Sequence, residues 1–154
     1  MAASPIKALL DTSVYLSFLH KDGEIHDFTF LRRPTLLYLS SVVFTELYAG
    51  ARDRATVRLL ERFYRTFDRL NRVIAPDQQV WLETAHVLQR FGIRYGFEAR
   101  GLARLSHDIL IALTARKIGA IVFTQNRGDF ERIREIRDFQ LEIHEDSTAK
   151  PNEK

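Results

Sequence analysis

A chain of 154 residues, 45% of them hydrophobic, has the length and composition of one globular domain with a core of its own. No uncharged apolar run approaches the ~20 residues that span a bilayer, and Met1 to Lys7 is not a charged segment leading into a long apolar one, so a cytoplasmic protein with no membrane span or secretory signal is expected. The lack of cysteine excludes disulfides, thiolate zinc sites and cysteine nucleophiles, while a net charge of +3, carried mostly by arginine at a pI of about 9.4, admits an acidic or nucleic-acid partner.

Lys7 to Leu10 is a short apolar run ending at Asp11, as in a buried first strand. Thr12 or Ser13 can cap a following helix whose apolar face is Val14, Tyr15, Phe18 and Leu19. Leu36 to Leu39 reads as a second strand, and Ser40 or Ser41 as the cap of a helix that Gly50 stops. Arg54 to Phe67 is amphipathic, with Val57, Leu60, Tyr64 and Phe67 on one side and arginines facing solvent. Val73 to Ala75 is a short strand, and Pro76-Asp77 enters a helix ending at Gly92, in which Trp81 is expected in the core. Arg94 to Gly101 is a glycine-punctuated loop, and a helix from Ser106 to Ile118 stops at Gly119. Ala120 to Phe123 lacks polar alternation, which suits a central parallel strand covered on both faces. A short helix near Asp129 to Ile136 and a strand from Phe139 to His144 complete one domain over residues 1–146, with 147–154 as a frayed tail. Strands alternating with helices make this an α/β chain with a parallel sheet.

Asp11, Glu46, Asp108 and Asp129 each border an apolar run. Taken singly they have ordinary roles: an N-cap, an ion-pair partner, a first-turn acid favoured by the helix dipole, and a turn residue. Together they are more specific, because Asp11 and Asp129 follow strands expected to be neighbours, and ligands bind beyond the carboxyl ends of such strands. Thr12, Ser13, Thr124 and Asn126 add short polar groups that can orient ligands and water. Oxygen donors without cysteine or a histidine cluster select Mg²⁺ or Mn²⁺, which can activate water and neutralise charge on a phosphodiester. His107 is a candidate substrate contact against a default of capping or packing, while His20, His26, His86 and His144 read as ordinary helix, surface or loop residues.

In this order the sequence resembles the PIN domain, and within it the VapC-like ribonuclease toxins of type II toxin–antitoxin systems. Leu9-Leu10-Asp11-Thr12-Ser13 is similar to the opening aspartate motif, and Glu46-Leu47-Tyr48-Ala49-Gly50 to the Glu-Leu-x-x-Gly element. Asp108 with Ile109 to Ala112 resembles the third acidic motif, and Thr124-Gln125-Asn126-Arg127-Gly128-Asp129-Phe130 the fourth. The resemblance implies a three-layer α/β/α domain with a mainly parallel sheet, and an Mg²⁺- or Mn²⁺-dependent endoribonuclease. Its metal and catalytic residues would be Asp11, Glu46, Asp108 and Asp129, with Thr12, Ser13, Thr124 and Asn126 behind them. It also implies a homodimer silenced by a cognate antitoxin. Of the aromatics on amphipathic helices, Tyr15, Phe18, Tyr48, Phe63 and Phe67, some are expected in the core and a surplus to form a groove for a partner helix. The long stretch from His20 to Thr35 and the arginine-rich Arg94 to Arg104 depart from the pattern, so the choice of RNA does not transfer.

Other readings fit less well. A haloacid-dehalogenase-type phosphatase wants a second aspartate where Ser13 stands, and no glycine-rich phosphate loop follows the first strand. The alternative of a different class is a non-catalytic PIN-like module that binds RNA or protein, in which a buried anionic cluster has no purpose.

Overall fold

Among the described residues, five parallel strands form one sheet in the order β3-β2-β1-β4-β5, with six helices packed about it. The computed structural model describes residues 3–22 (backbone alone at 20–22), 31–96 and 101–145. In chain order the elements are β1 (Ile6–Leu10), α1 (Thr12–Asp22), β2 (Thr35–Ser40), α2 (Ser41–Gly50), α3 (Arg54–Arg69) and β3 (Val73–Ile74). Then come α4 (Gln78–Tyr95), α5 (Leu102–Ile118), β4 (Ile121–Thr124), α6 (Arg127–Ile136) and β5 (Leu141–Ile143). The expected tail at 147–154 and the loop residues 97–100 lie outside the described residues.

The chain winds from β1 outward through β2 to β3, then returns to pair β4 on the other flank of β1. The winding reverses between β1 and β4, and in such sheets ligands bind at that switch point, in a crevice beyond the strands' carboxyl ends. Ala8, Leu9 and Leu10 are fully buried, as are Val122 and, nearly so, Phe123, because helices cover both faces. Helix α5 is buried continuously from Asp108 to Ala115, so its apolar residues show no single stripe.

Several helix ends differ from the sequence expectation. Gly50 belongs to the last turn of α2, and the chain leaves through extended Ala51 without needing a left-handed residue. Helix α4 continues past the buried Gly92 to Tyr95 and stops at Gly96, whose φ of 84° suits glycine. Helix α5 starts at Leu102, one turn before Ser106, whose hydroxyl donates back to the Leu102 carbonyl (2.7 Å) instead of capping. Trp81 is 55% exposed, since α4 presents Val80, Thr84, Val87 and Phe91 to the core and position 81 falls beside that row. Tyr15 and Phe67 are core residues, and Phe18 and Phe63 pack against the core; of the five aromatics expected to supply a groove, only Tyr48 is exposed.

Candidate active site

Asp11 closes β1 and opens α1. Its backbone N–H donates to Phe123 O (2.9 Å), locking it to β4, and its carbonyl accepts from Val14 N (3.0 Å). The carboxylate is only 4% exposed, and its Oδ2 accepts from Ser13 Oγ (2.9 Å) and Thr124 Oγ1 (2.8 Å). Those two hydroxyls are themselves fixed, since Ser13 Oγ accepts from Gln125 N (3.0 Å) and Thr124 Oγ1 from Asn126 N (3.0 Å). Neither Thr12 nor Ser13 is therefore a cap; their hydroxyls serve carboxylates. Among the described residues Asp11 Oδ1 accepts no hydrogen bond, which leaves one oxygen of a rigidly held carboxylate open.

Glu46 reaches the same rim from α2, a helix positioned by Ser40, whose side chain accepts from Val42 N and Val43 N. Thr12 Oγ1 donates to Glu46 Oε1 (3.2 Å), and His107 Nδ1 stands 3.9 Å from the same oxygen. Burial raises the Glu46 carboxyl's pKa, the Thr12 bond and His107 oppose this, and Asp11 adds to it. Asp129 lies in the first turn of α6, where a helix N-terminus favours an anion. Asn126 caps that turn: its side-chain oxygen accepts from Asp129 N (3.5 Å) while its Nδ2 donates to Asp129 Oδ2 (3.2 Å).

Asp108 projects from α5 into this crevice, 5% exposed, and its Oδ2 is buried without a hydrogen-bond partner. Its pKa is pushed up to about 8, first by burial and then by the charges of Asp11, Asp129 and Glu46, with Arg104 opposing. The four acids singled out in the sequence thus share one electrostatic neighbourhood at the reversal between β1 and β4. Among the described residues no three Asp, Glu or His side chains close into a ready-made ligand shell. A buried carboxylate oxygen with no donor, surrounded by three more carboxylates, is nonetheless a donor set that fits a hard divalent cation, because an unpaired buried charge otherwise costs several kcal/mol.

His86, an ordinary helix residue as read from the sequence, lies in a separate depression with Glu83, Arg90 and Arg137, while Arg33 pairs with Glu142 (2.8 Å). Arg104 is a neighbour of the site that the sequence expectation of a helix from Ser106 leaves out: α5 begins at Leu102, so Arg104 stands one turn before Asp108 on the same face, a four-residue spacing that has meaning only inside a helix.

A family model described as the PIN domain matches residues 8–136. No curated protein matches the sequence. Several solved structures share the fold. One is VapBC2 from Rickettsia felis bound to a DNA fragment from its promoter, at 20% identity and a TM-score of 0.63 over 91% of this chain and 100% of that one. DNA-bound VapBC from Salmonella typhimurium is 25% identical, with a TM-score of 0.62 over 90% and 98% of the two chains. VapBC-1 from nontypeable Haemophilus influenzae is 21% identical, with a TM-score of 0.63 over 90% and 98%.

Proposed function

The chain belongs to the PIN-domain family, and from that footing we propose that it is a metal-dependent endoribonuclease, the VapC-like toxin of a type II toxin–antitoxin pair, hydrolysing RNA phosphodiester bonds. The observation that carries this reading is Asp108: a buried carboxylate with an unpartnered oxygen, facing three further acids where ligands bind in a parallel sheet. Asp11, Glu46, Asp108 and Asp129 would hold Mg²⁺ or Mn²⁺. Bound there, the ion would lower the pKa of a water, orient the phosphodiester and offset charge building on the phosphate.

The chain's own residues prepare that site. Ser13 and Thr124 aim Asp11, Thr12 restrains Glu46, and Asn126 fixes Asp129 against the start of α6. Without a cation, Asp108 holds a proton near neutral pH, which limits repulsion among the four carboxylates. His107, whose Nδ1 lies 3.9 Å from Glu46, would donate to a substrate oxygen at the rim.

A protein partner has a surface to occupy. A groove of about 470 Å³ between α1, α2 and α3 is lined by Leu16, Leu19, Leu47, Ala51, Leu59 and Arg62. An apolar helical segment of an antitoxin would lay its hydrophobic side there, and Leu16, 40% exposed, would be covered. The VapBC assemblies with which the fold is shared favour this occupant. We further propose a homodimer acting in the cytoplasm; no described helix is long and apolar enough to cross a membrane.

The test is incubation of the purified protein and an Asp11→Asn variant with total RNA in Mg²⁺, Mn²⁺ or EDTA. Cleavage by the wild type with either metal, and none in EDTA or by the variant, is expected. Folded protein that leaves RNA intact with both metals would favour the non-catalytic binding module.

A further inference from the structure

Beside the acidic crevice lies a second cavity of about 410 Å³ between the end of α4, the start of α5 and α6, walled by Phe91, Tyr95, Leu102, Arg104, Asp129 and Arg132. Asp129, one of the four acids, lines this cavity too, which sets the trough against the carboxylates. Two helices build the trough's charge in the same way. Arg104 precedes Asp108 by four residues on α5, and Arg132 follows Asp129 by three on α6, so each helix sets one arginine beside one carboxylate on a shared face. Arg104 lines the cavity and stands one helical turn before Asp108, which sets it at the boundary between acids and cavity.

The arginines here are not all equivalent. Arg94 is neutralised by Glu135 (3.2 Å), and the Tyr95 hydroxyl donates to the same carboxylate. The Tyr95 ring, anchored in that way, carries the Arg132 guanidinium 5.4 Å from its centroid. Among the described residues Arg132 and Arg104 have no ion pair or hydrogen bond of their own, so their donors remain available. A guanidinium oriented on an aromatic face with its donors unspent suits bidentate capture of a phosphate.

We propose that this cavity is a subsite for the nucleotide flanking the bond to be cut. Arg104 and Arg132 bind the phosphodiester next to the one held over the carboxylates, and Tyr95 acts as the positioning residue for Arg132. The inference rests on the ribonuclease reading and deepens it. The acids alone repel a polyanion, and the neighbouring arginines supply the attraction that holds a strand across them. It also gives the arginine-rich stretch before Asp108 a role: Arg94 locks the ring and Arg104 grips the substrate.

Binding without chemistry tests this. Fluorescence anisotropy of a labelled, mixed-sequence single-stranded RNA is followed in EDTA across a salt titration for wild type, Arg104→Gln, Arg132→Gln and Tyr95→Leu. Arg65→Gln on α3 is the control. Each of the two trough arginines should weaken binding several-fold and reduce the slope of log K against log salt by about 0.7, as one phosphate contact on a single strand is lost. Arg65→Gln should keep the wild-type slope. Tyr95→Leu should reproduce the Arg132→Gln loss, and the double variant should bind no worse than Arg132→Gln alone, because both changes remove one contact. Unchanged slopes in Arg104→Gln and Arg132→Gln, or an equal drop in Arg65→Gln, would overturn the subsite while leaving RNA cleavage by the wild type standing. Additive losses for Tyr95 and Arg132 would overturn the positioning role. A wild type that neither binds nor cuts RNA would remove the ribonuclease reading and this one with it.

Discussion

A carboxyl placed like that of Asp108 is expensive to ionise, and the expense has a pH signature. Its folded pKa is about 8 against an ordinary value of 3.8. Below about pH 4 both folded and unfolded chains hold the proton and nothing is lost. Between there and about pH 8 the unfolded chain releases it first, so the folded state binds more protons and stability falls as pH rises. In EDTA the wild type should therefore lose melting temperature across this window relative to Asp108→Asn, which should melt at least as high at pH 8 while being inactive with metal. A lower metal-free melting temperature for the variant at pH 8 would make Asp108 a structural acid. Thr124→Val removes one of the two donors that aim Asp11, and a lost orienting bond of this kind typically costs 10–100-fold in metal affinity or activity. That loss should appear in Mn²⁺ titrations with the circular dichroism spectrum unchanged.

At the scale of elements, the parallel strands were legible because strands covered on both faces have no polar alternation: Ala8 to Leu10 and Val122 to Phe123 are apolar and buried throughout. Caps made by a local side chain were legible too, as at Ser40, and so was the stop at Gly119, whose φ of 69° needs no Cβ. The start of α5 was not, because Ser106 looks the same to a sequence reader whether it caps a helix or bonds back within one. A helix starting at Ser106 would leave Arg104 outside it and put Asp108 in the first turn, whereas the start at Leu102 sets the two on one face. Ser40→Ala should cost about 1 kcal/mol in urea unfolding by freeing the Val42 and Val43 amides. It should also lower RNA cleavage, since α2 carries Glu46. Unaltered cleavage in a destabilised Ser40→Ala variant would separate the helix end from the site.

For the molecule as a whole, strand order decides where the four acids meet. The neighbourhood of Asp11 and Asp129 could be anticipated from two strands ending in acids, whereas the exposure of Trp81 and the burial of Tyr15 depend on which helix face meets the sheet, and composition does not record that. The groove proposed for a partner is lined by leucines and alanines together with Arg52, Asp53, Thr56 and Arg62, because Tyr15, Phe18, Phe63 and Phe67 are in or against the core. An ion that binds only the folded chain must stabilise all of it, by about 2.7 kcal/mol at a hundred times its dissociation constant. For a domain of this size that is a rise on the order of 5–10 °C in melting temperature with Mn²⁺, absent in Asp11→Asn. The most direct measurement is anomalous diffraction from crystals grown with Mn²⁺. The account predicts a peak in the crevice at about 2.0–2.6 Å from oxygens of Asp11 and Asp108, with Glu46 and Asp129 turned toward it. A crevice without a peak, in a protein that cuts RNA equally well in EDTA, would contradict it.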